Sequence, residues 1–321
     1  MATTITSPLL SLPGAVAADG VDAAVAAHYG SFNTEQRTLV AGEGFVDLSH
    51  RDVFTVAGPD RLTWLHSLTS QAFEGLEPGV WTAALILSPT GHVEHFFSGV
   101  DDGESFTAWT EPGRGEALTT FLERMKFWSD VTITAAPETA VVWRADGSTL
   151  FVPRADLTSL PAALGPAAGL WAYDALRIER GEPRFGVDTD DKTIPNEVGW
   201  LPGGPVTAVH LDKGCYRGQE TVSRVHTLGR PPRRLTLLHL DGTENRLPAA
   251  GSPITPAGAD ADARPVGMVG SSARHHELGP IALALVKRNV DPGAALQVDG
   301  MPAAQEVIVD PEVGLHVRPL R

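Results

Sequence analysis

Cysteine is almost absent: Cys215 is the only one in 321 residues. One thiol excludes an internal disulfide framework, and it excludes a cysteine-rich zinc or iron–sulfur site built by this chain alone. It also points to a cytoplasmic compartment. Long apolar runs are missing too. No segment offers about 18 uninterrupted apolar residues, so no membrane span is expected. The apolar stretch from Ser7 to Ala27 could pass for a signal peptide, but no Lys or Arg precedes Arg37, and Asp19 and Asp22 interrupt it. Positive charge is scarce as well. The net charge of −14 argues against general nucleic-acid binding, which needs a basic face. Finally, there is no G-x-G-x-x-G fingerprint, P-loop, G-x-S-x-G elbow or H-E-x-x-H element, so nucleotide hydrolysis, serine hydrolysis and zinc proteolysis have no support.

What remains is a globular composition, 42% hydrophobic and 20% charged, in a chain long enough for two or three packed domains. Residues 1–36 read as a small, acidic, alanine-rich arm with a short helix around Ala23 to His28. Val46 to Ala57 reads as strands. A turn at Gly58-Pro59-Asp60 then enters a helix carrying Leu62, Trp64, Leu65 and Leu68, with Asp60 as a candidate cap. Val80 to Leu87 and His92 to Val100 read as strands joined by the hairpin turn Ser88-Pro-Thr-Gly91. Gly115 to Met125 has the spacing of an amphipathic helix. Val131 to Thr134 and Thr139 to Trp143 are further short strands. Ala172 to Arg180 is a helix ended by Gly181 and Pro183, Val187 to Pro205 a long loop, and Gln219 to Thr227 a helix. From Arg234 on, short strands alternate with Gly and Pro: Leu235–Leu240, Val266–Ser271, Ile281–Val286 and Gln305–Val309. That is the pattern of a small antiparallel barrel. The divisions are therefore 1–36, 37–233 with a split near 150, and 234–321. His275-His276-Glu277 reads as a solvated turn.

The most specific stretch is Lys213-Gly-Cys-Tyr-Arg-Gly-Gln-Glu220. Its pattern is unperiodic, which core packing explains poorly. Residues 210–234 carry six basic against two acidic residues, a basic island in an acidic chain that suggests an anionic ligand. The same cations would equally serve as partners for acidic loops elsewhere. A thiol among cations near a helix start is expected to have a lowered pKa. Cys215 is therefore a candidate nucleophile, redox thiol or transient metal ligand, with a small buried hydrophobe as the plain alternative. Lys213 is a candidate to position an anion or tune that thiol. Tyr216, Arg217, Gln219 and Arg224 are candidate cofactor-binding residues, with Gln219 and Glu220 alternatively organising the loop by hydrogen bonds to backbone amides. Arg177 and Arg184 read as structural ion pairs.

This K-G-C-Y-x-G-Q-E run resembles the signature of the YgfZ family, folate-binding relatives of the glycine-cleavage T-protein, an aminomethyltransferase, linked to the assembly or repair of iron–sulfur proteins. Two further stretches carry the resemblance: Gly58 to Gln71, and Leu176 to Asp188 with Ile194-Pro-Asn-Glu-Val198. It implies an α+β fold of two intertwined subdomains around a central folate channel, followed by a C-terminal β-barrel. It implies tetrahydrofolate as cofactor, with Glu197 at the pterin-binding glutamate of the Pro-x-Glu element. A carboxylate can accept two parallel hydrogen bonds from such a ring. Ser67, Thr69, Ser70 and Gln71 would line a ligand cavity. The implied partners are iron–sulfur client or assembly proteins, with no metal held by the chain itself. One departure matters. Where the T-protein hairpin carries a G-x-x-D-D pattern with a catalytic aspartate, this chain has Glu94 and His95. Charge displaced by an ångström is costly in catalysis, so enzyme status stays open. The alternatives are a folate-dependent aminomethyltransferase or demethylase, and an interaction module with a vestigial pocket.

Overall fold

The computed structural model describes residues 5–243, 245–260 and 263–317. The outermost residues of the expected arm and barrel, 1–4 and 318–321, lie outside the described residues. The chain forms two compact units that interleave along the sequence. One takes the residues up to His66 with Phe73–Ala83 and His95–Tyr173; the other takes Ser67–Ala72, Ala84–Glu94 and the residues from Asp174 onward.

In the first unit a four-stranded sheet has the order Thr149–Pro153, Thr139–Arg144, Phe45–Asp47, Ala167–Ala168. Its neighbours are antiparallel except the last pair, which is parallel. Phe45, Ala140 and Val142 from this sheet pack with Leu9, Leu157 and Leu160 into one cluster. A five-stranded sheet runs in the order Trp81–Leu87, Val93–Asp101, Ser105–Thr110, Asp52–Ala57, Thr132–Ala135. Helix Gly115–Arg124 presents Leu118 and Leu122, both fully buried, as its 3.6-residue spacing predicts. The alanine-rich segment is not the expected helix. Residues Ala26–His28 form a strand paired antiparallel with Val16–Ala17. Ala24, Val25, Ala26 and Ala27 are all buried, so tertiary burial on every face overrides alanine's helix propensity.

In the second unit the strand-rich end closes into a barrel. Its order is Arg233–Leu240, Gly279–Lys287, Gly267–His275, Pro253–Pro256, Leu296–Val298 and Met301–Val307, which pairs back to the first strand. The closing registers include Leu237 opposite Leu283 and Leu238 opposite Gln305. Closure leaves no edge strand to recruit other chains. Leu238, Ile254, Val269, Ala284, Val286 and Val298 fill the interior.

Arg177 is tied into this unit by buried polar contacts. Its guanidinium donates to Asp174 at 2.6 Å, to Asp188 at 3.0 Å and to the hydroxyl of Ser271 on the barrel strand Gly267–His275. Asp188 also accepts from the backbone nitrogens of Ser271 at 2.6 Å and Arg184 at 2.7 Å. Arg177 is thus the structural ion pair its sequence suggested. The turn at His275-His276-Glu277 differs from expectation. His275 is buried, its Nδ1 accepts from the backbone of Glu277 and Leu278, and its Nε2 lies 3.2 Å from Glu179. Burial lowers the His275 pKa against the pull of Glu179.

Candidate functional site

Four stretches of the second unit meet the cysteine motif or the helix Gln219–Leu228 that follows it. The first is the hairpin Ser88–Gly91. Gly218 sits at the helix N-cap with φ +81°, a conformation that favours glycine, and a Cβ there would stand 2.5 Å from the Ser88 carbonyl. Gly91, at φ +84°, faces it: a Cβ there would stand 2.7 Å from the Thr221 Cβ. The second glycine of K-G-C-Y-x-G-Q-E is therefore a packing glycine. Gly214, the first, has open space around it and no left-handed backbone.

The second stretch is Thr69 to Gln71. Lys213 is buried, and its ammonium donates to the carbonyls of Thr69 at 2.6 Å and Gln71 at 3.0 Å. It also lies 5.2 Å from the centre of the Tyr216 ring. Burial pushes the Tyr216 pKa up to about 12, so its phenol stays protonated at neutral pH. Ser70 is buried, donating to the carbonyl of Ala208 at 2.6 Å and accepting from Leu85 N.

The third is Asp190 to Glu197. Pro195 opens a single 3-10 turn, Pro195–Glu197, where its missing N–H costs nothing. Glu197 closes it, Oε2 accepting from the backbone N–H of Ile194 at 3.1 Å. Glu197 is fully buried rather than solvent-facing. Arg233, at the start of the first barrel strand, clamps it from the other side. Its Nε donates to Oε1 at 2.9 Å and its Nη2 to Oε2 at 2.8 Å. The same guanidinium grips Asp190 at 2.6 and 3.0 Å. The Arg233 hydrogen bonds hold the Asp190 carboxyl down at about pKa 2, while burial opposes them. Asn196 Nδ2 donates to the carbonyl of Val222 in the helix, and Asn196 Oδ1 is buried without a partner.

The fourth is Glu94, on the strand after the hairpin. It pairs with Arg217 at 2.9 Å, both partners being more than a third exposed. His95 packs its ring against Phe121 at 5.6 Å. Cys215 is exposed, so the buried-hydrophobe reading does not apply. Arg224 is exposed and Gln219 opens the helix.

Most cations of the basic island therefore have partners. Arg217 takes Glu94, Arg233 takes Asp190 and Glu197, and Lys213 takes two carbonyls. Arg230 lies 3.8 Å from Glu312. Arg234 is buried in the barrel, donating to Gln305 and the Val290 carbonyl. Sequence reasoning missed the Arg233–Glu197 clamp. The signal available was an arginine pair at the first barrel strand beside a run of acids at 188–191, with nothing to fix which would meet. Asp60 stands one residue before the helix Arg61–Leu68, its carbonyl accepting from Trp64 N at 2.8 Å, and its side chain also accepts from the backbone N–H of Asp130 at 2.8 Å.

A pterin edge brings two donors and asks for two acceptors. The bonds above occupy three of the four acceptor positions on Glu197, leaving one on Oε1. The unpartnered Asn196 Oδ1, one residue earlier in the same turn, is the second. In number the two open acceptor positions match those two donors, with Asn196 supplying what Arg233 takes from Glu197. Among the described residues no group of three or more His, Cys, Asp or Glu is placed to hold a metal ion, and no helix is long and apolar enough to cross a membrane.

No family model matches the chain. It is similar to an aminomethyltransferase of Thermotoga sp. (strain RQ2), 25% identical over 84% of this chain and 85% of the relative. It is 31% identical to an aminomethyltransferase of Streptomyces avermitilis over 62% of this chain. A chloroplastic protein of Arabidopsis thaliana, assigned only provisionally as a transferase, is 24% identical over 70% of this chain. The matched regions span 62% of the Arabidopsis relative and 56% of the Streptomyces one. Among solved structures, glycine cleavage system aminomethyltransferase T from Bartonella henselae superposes with a TM-score of 0.77 at 18% identity, over 97% of this chain and 98% of that one. Mixed helices and sheets with a closed six-stranded barrel at the C-terminal end are thus the fold of aminomethyltransferase T.

Proposed function

We propose that the chain binds tetrahydrofolate at the Pro195–Glu197 turn and serves as an accessory to iron–sulfur protein assembly or repair, with Cys215 as its functional thiol. One observation carries the choice over aminomethyl transfer. The hairpin position that resembles the catalytic aspartate pair holds Glu94 in an ion pair with Arg217, followed by His95 with its ring tilted against Phe121. Glu94 is already committed to Arg217, and a glutamate in place of an aspartate moves the charged group by about an ångström or more, which is costly in catalysis. Glu197 Oε1 and Asn196 Oδ1 would hold the pterin, and Arg233 would hold the Glu197 carboxylate in its orientation. The bound folate would supply the one-carbon chemistry of its reduced ring. Arg224 is the exposed cation best suited to the folate glutamate tail, since Arg217 is already paired. Cys215, exposed among these residues, can meet a group on a partner protein.

Calorimetric titration with tetrahydrofolate tests the binding. The expected result is saturable one-to-one binding, weakened about 10- to 100-fold by Glu197→Gln. No binding at roughly millimolar ligand removes the folate reading. The iron–sulfur role is tested separately, by the activity of iron–sulfur enzymes in cells carrying Cys215→Ser. Full activity there denies the thiol an essential part. A second reading, a folate-dependent one-carbon transferase, is favoured by the aminomethyltransferases among its relatives. It requires turnover of an aminomethyl or N-methyl donor with tetrahydrofolate, and absence of any one-carbon product removes it.

A further inference from the structure

The turn that follows helix Gly115–Arg124 in the first unit carries aromatic rings where turns usually carry small or polar residues. Ser129 N donates to the Lys126 carbonyl at 2.9 Å, so Phe127 and Trp128 occupy the two corners. Phe127 has φ +43°, in the left-handed region that favours glycine and asparagine. Phe127 is nonetheless 77% exposed and Trp128 100% exposed. The base of the turn is fixed. Trp64 Nε1 donates to the Met125 carbonyl at 3.1 Å, and Asp60 accepts from Asp130 N at 2.8 Å. A strained backbone on a fixed base thus holds two large rings in water, which is the form of an aromatic anchor outside its pocket.

The next strand, Thr132–Ala135, offers a second unfilled contact. It is the outer strand of the five-stranded sheet and pairs with Asp52–Ala57 on its inner side. Ala136 N donates to the Val53 carbonyl at 2.8 Å. By the alternation of an antiparallel ladder, the backbone N–H and C=O groups of Ile133 and Ala135 therefore point outward. Among the described residues no other backbone group meets them. An unpaired edge of this kind is a template for another strand. Between this strand and the helix runs a groove of about 460 Å³, lined by Thr119, Thr120, Glu123, Arg124, Ile133 and Ala135.

We propose that this edge is the contact surface of a homodimer, in which the two copies of Thr132–Ala135 pair antiparallel and the Phe127–Trp128 turn of each copy packs into the groove of the other. A two-fold axis at Thr134 sets Ile133 of each copy opposite Ala135 of the other and satisfies the outward groups of both. The aromatic turn precedes its own strand, so it lies past the Ala135 end of the other copy's strand, and Ala135 lines that copy's groove. Exposed Arg124 there offers a cation to an indole face. The area is sufficient. Four rings bury about 150–250 Å² each and cover a like area, which reaches the roughly 1,200–2,000 Å² of a specific interface. Charge permits the contact as well. Residues 123–130 carry two acids, Glu123 and Asp130, and two bases, Arg124 and Lys126, a local balance of zero in a chain of net −14. The same balance disfavours a lipid surface, which needs an attraction beyond two rings. The contact is independent of the folate reading.

Sedimentation equilibrium on the full chain, from about 1 to 200 µM, tests it. A concentration-dependent dimer is expected. Trp128→Ala should weaken it about 10- to 100-fold. Phe127→Gly should weaken it too, while leaving the unfolding midpoint of the monomer unchanged or higher, because glycine takes that backbone freely. That pairing of results separates a lost contact from a lost fold. Thr134→Cys, made together with Cys215→Ser, should link two chains under mild oxidation, since the residue on the axis faces its own copy at about 4.5 Å between Cα atoms. A monomer at every concentration, a dimer that Trp128→Ala leaves unchanged, or a dimer that Thr134→Cys does not link overturns the proposal.

Discussion

The turn at Pro195–Glu197 and the cluster around Ser49–Arg51 both bury arginine and short polar side chains, but they settle their charges differently. At the turn, Arg233 spends its donors on Glu197, Asp190 and Thr193, and Glu197 returns an acceptor to its own backbone. In the cluster, Arg51, Arg154, Ser49 and His50 each keep an atom with no partner. The first arrangement is a scaffold that can hold a ligand through what is left over. The second leaves polar atoms buried and unpaired. Charge alone does not separate the two, since each contains arginine and acid. What separates them is how many hydrogen-bonding positions the protein itself fills.

The contrast predicts that substitutions in the satisfied region cost stability and that those in the cluster do not. The largest effect is expected at Asp188. Its carboxylate is wholly buried and binds Arg177, Ser271 and two backbone nitrogens. Asp188→Ala strands part of the Arg177 charge in the interior and should cost about 3–5 kcal/mol in urea unfolding. A loss below about 1 kcal/mol would mean that this network does not hold the barrel strand to the helix segment. Next is Gly218→Ala, which forces a side chain into the left-handed region and against Ser88. It should cost about 1–3 kcal/mol, and an unchanged unfolding midpoint would show that the hairpin yields freely.

Much of this satisfied region is legible in the sequence, and the reason is local. The helix Gln219–Leu228, the hairpin at Ser88–Gly91 and four of the six barrel strands announce themselves through apolar spacing and turn residues within ten positions. Pro253–Pro256 and Leu296–Val298 escape because three or four residues show no period. The strand Ala26–His28 escapes because an alanine run carries no contrast between faces. Glu197 is found by resemblance, but its clamp is not, since Arg233 lies 36 residues away and any acid of the loop could have met it. The cluster is less legible still. Ser49 and Arg154 are 105 residues apart, and a Ser-His-Arg run beside a strand looks like ordinary surface polarity until burial is known.

A smaller effect is expected at Asp190, and it depends on pH. Its side chain is 30% exposed, so solvent screens the pair, and Asp190→Asn should cost about 1 kcal/mol near neutrality. The Arg233 hydrogen bonds depress its folded pKa to about 2 from an unfolded value near about 3.9. A depressed carboxylate stabilises the fold fully above the unfolded value and loses that contribution as pH falls through the folded one. The stability difference between the native chain and Asp190→Asn should therefore be flat from about pH 7 to 5 and shrink between about pH 4 and 2. A difference that persists undiminished to about pH 2 would place its origin in packing rather than in charge.

The smallest effect is the most telling one. Ser49 is 2% exposed, and its hydroxyl bonds nothing in the protein. Most buried serines lose about 1 kcal/mol or more when changed to alanine, because a hydrogen bond goes with the oxygen. Here the folded state already carries the cost of an unpaired hydroxyl, so Ser49→Ala should leave the free protein within about 0.5 kcal/mol of its original stability, or raise it. Ser70 supplies the internal control. It is equally buried, its hydroxyl bonds Ala208 and Leu85, and Ser70→Ala should be clearly destabilising in the same assay. Equal losses at both positions would mean that Ser49 has a partner in the folded protein. Unequal losses would show that the fold carries a buried, unpaired hydroxyl at Ser49 at a standing cost.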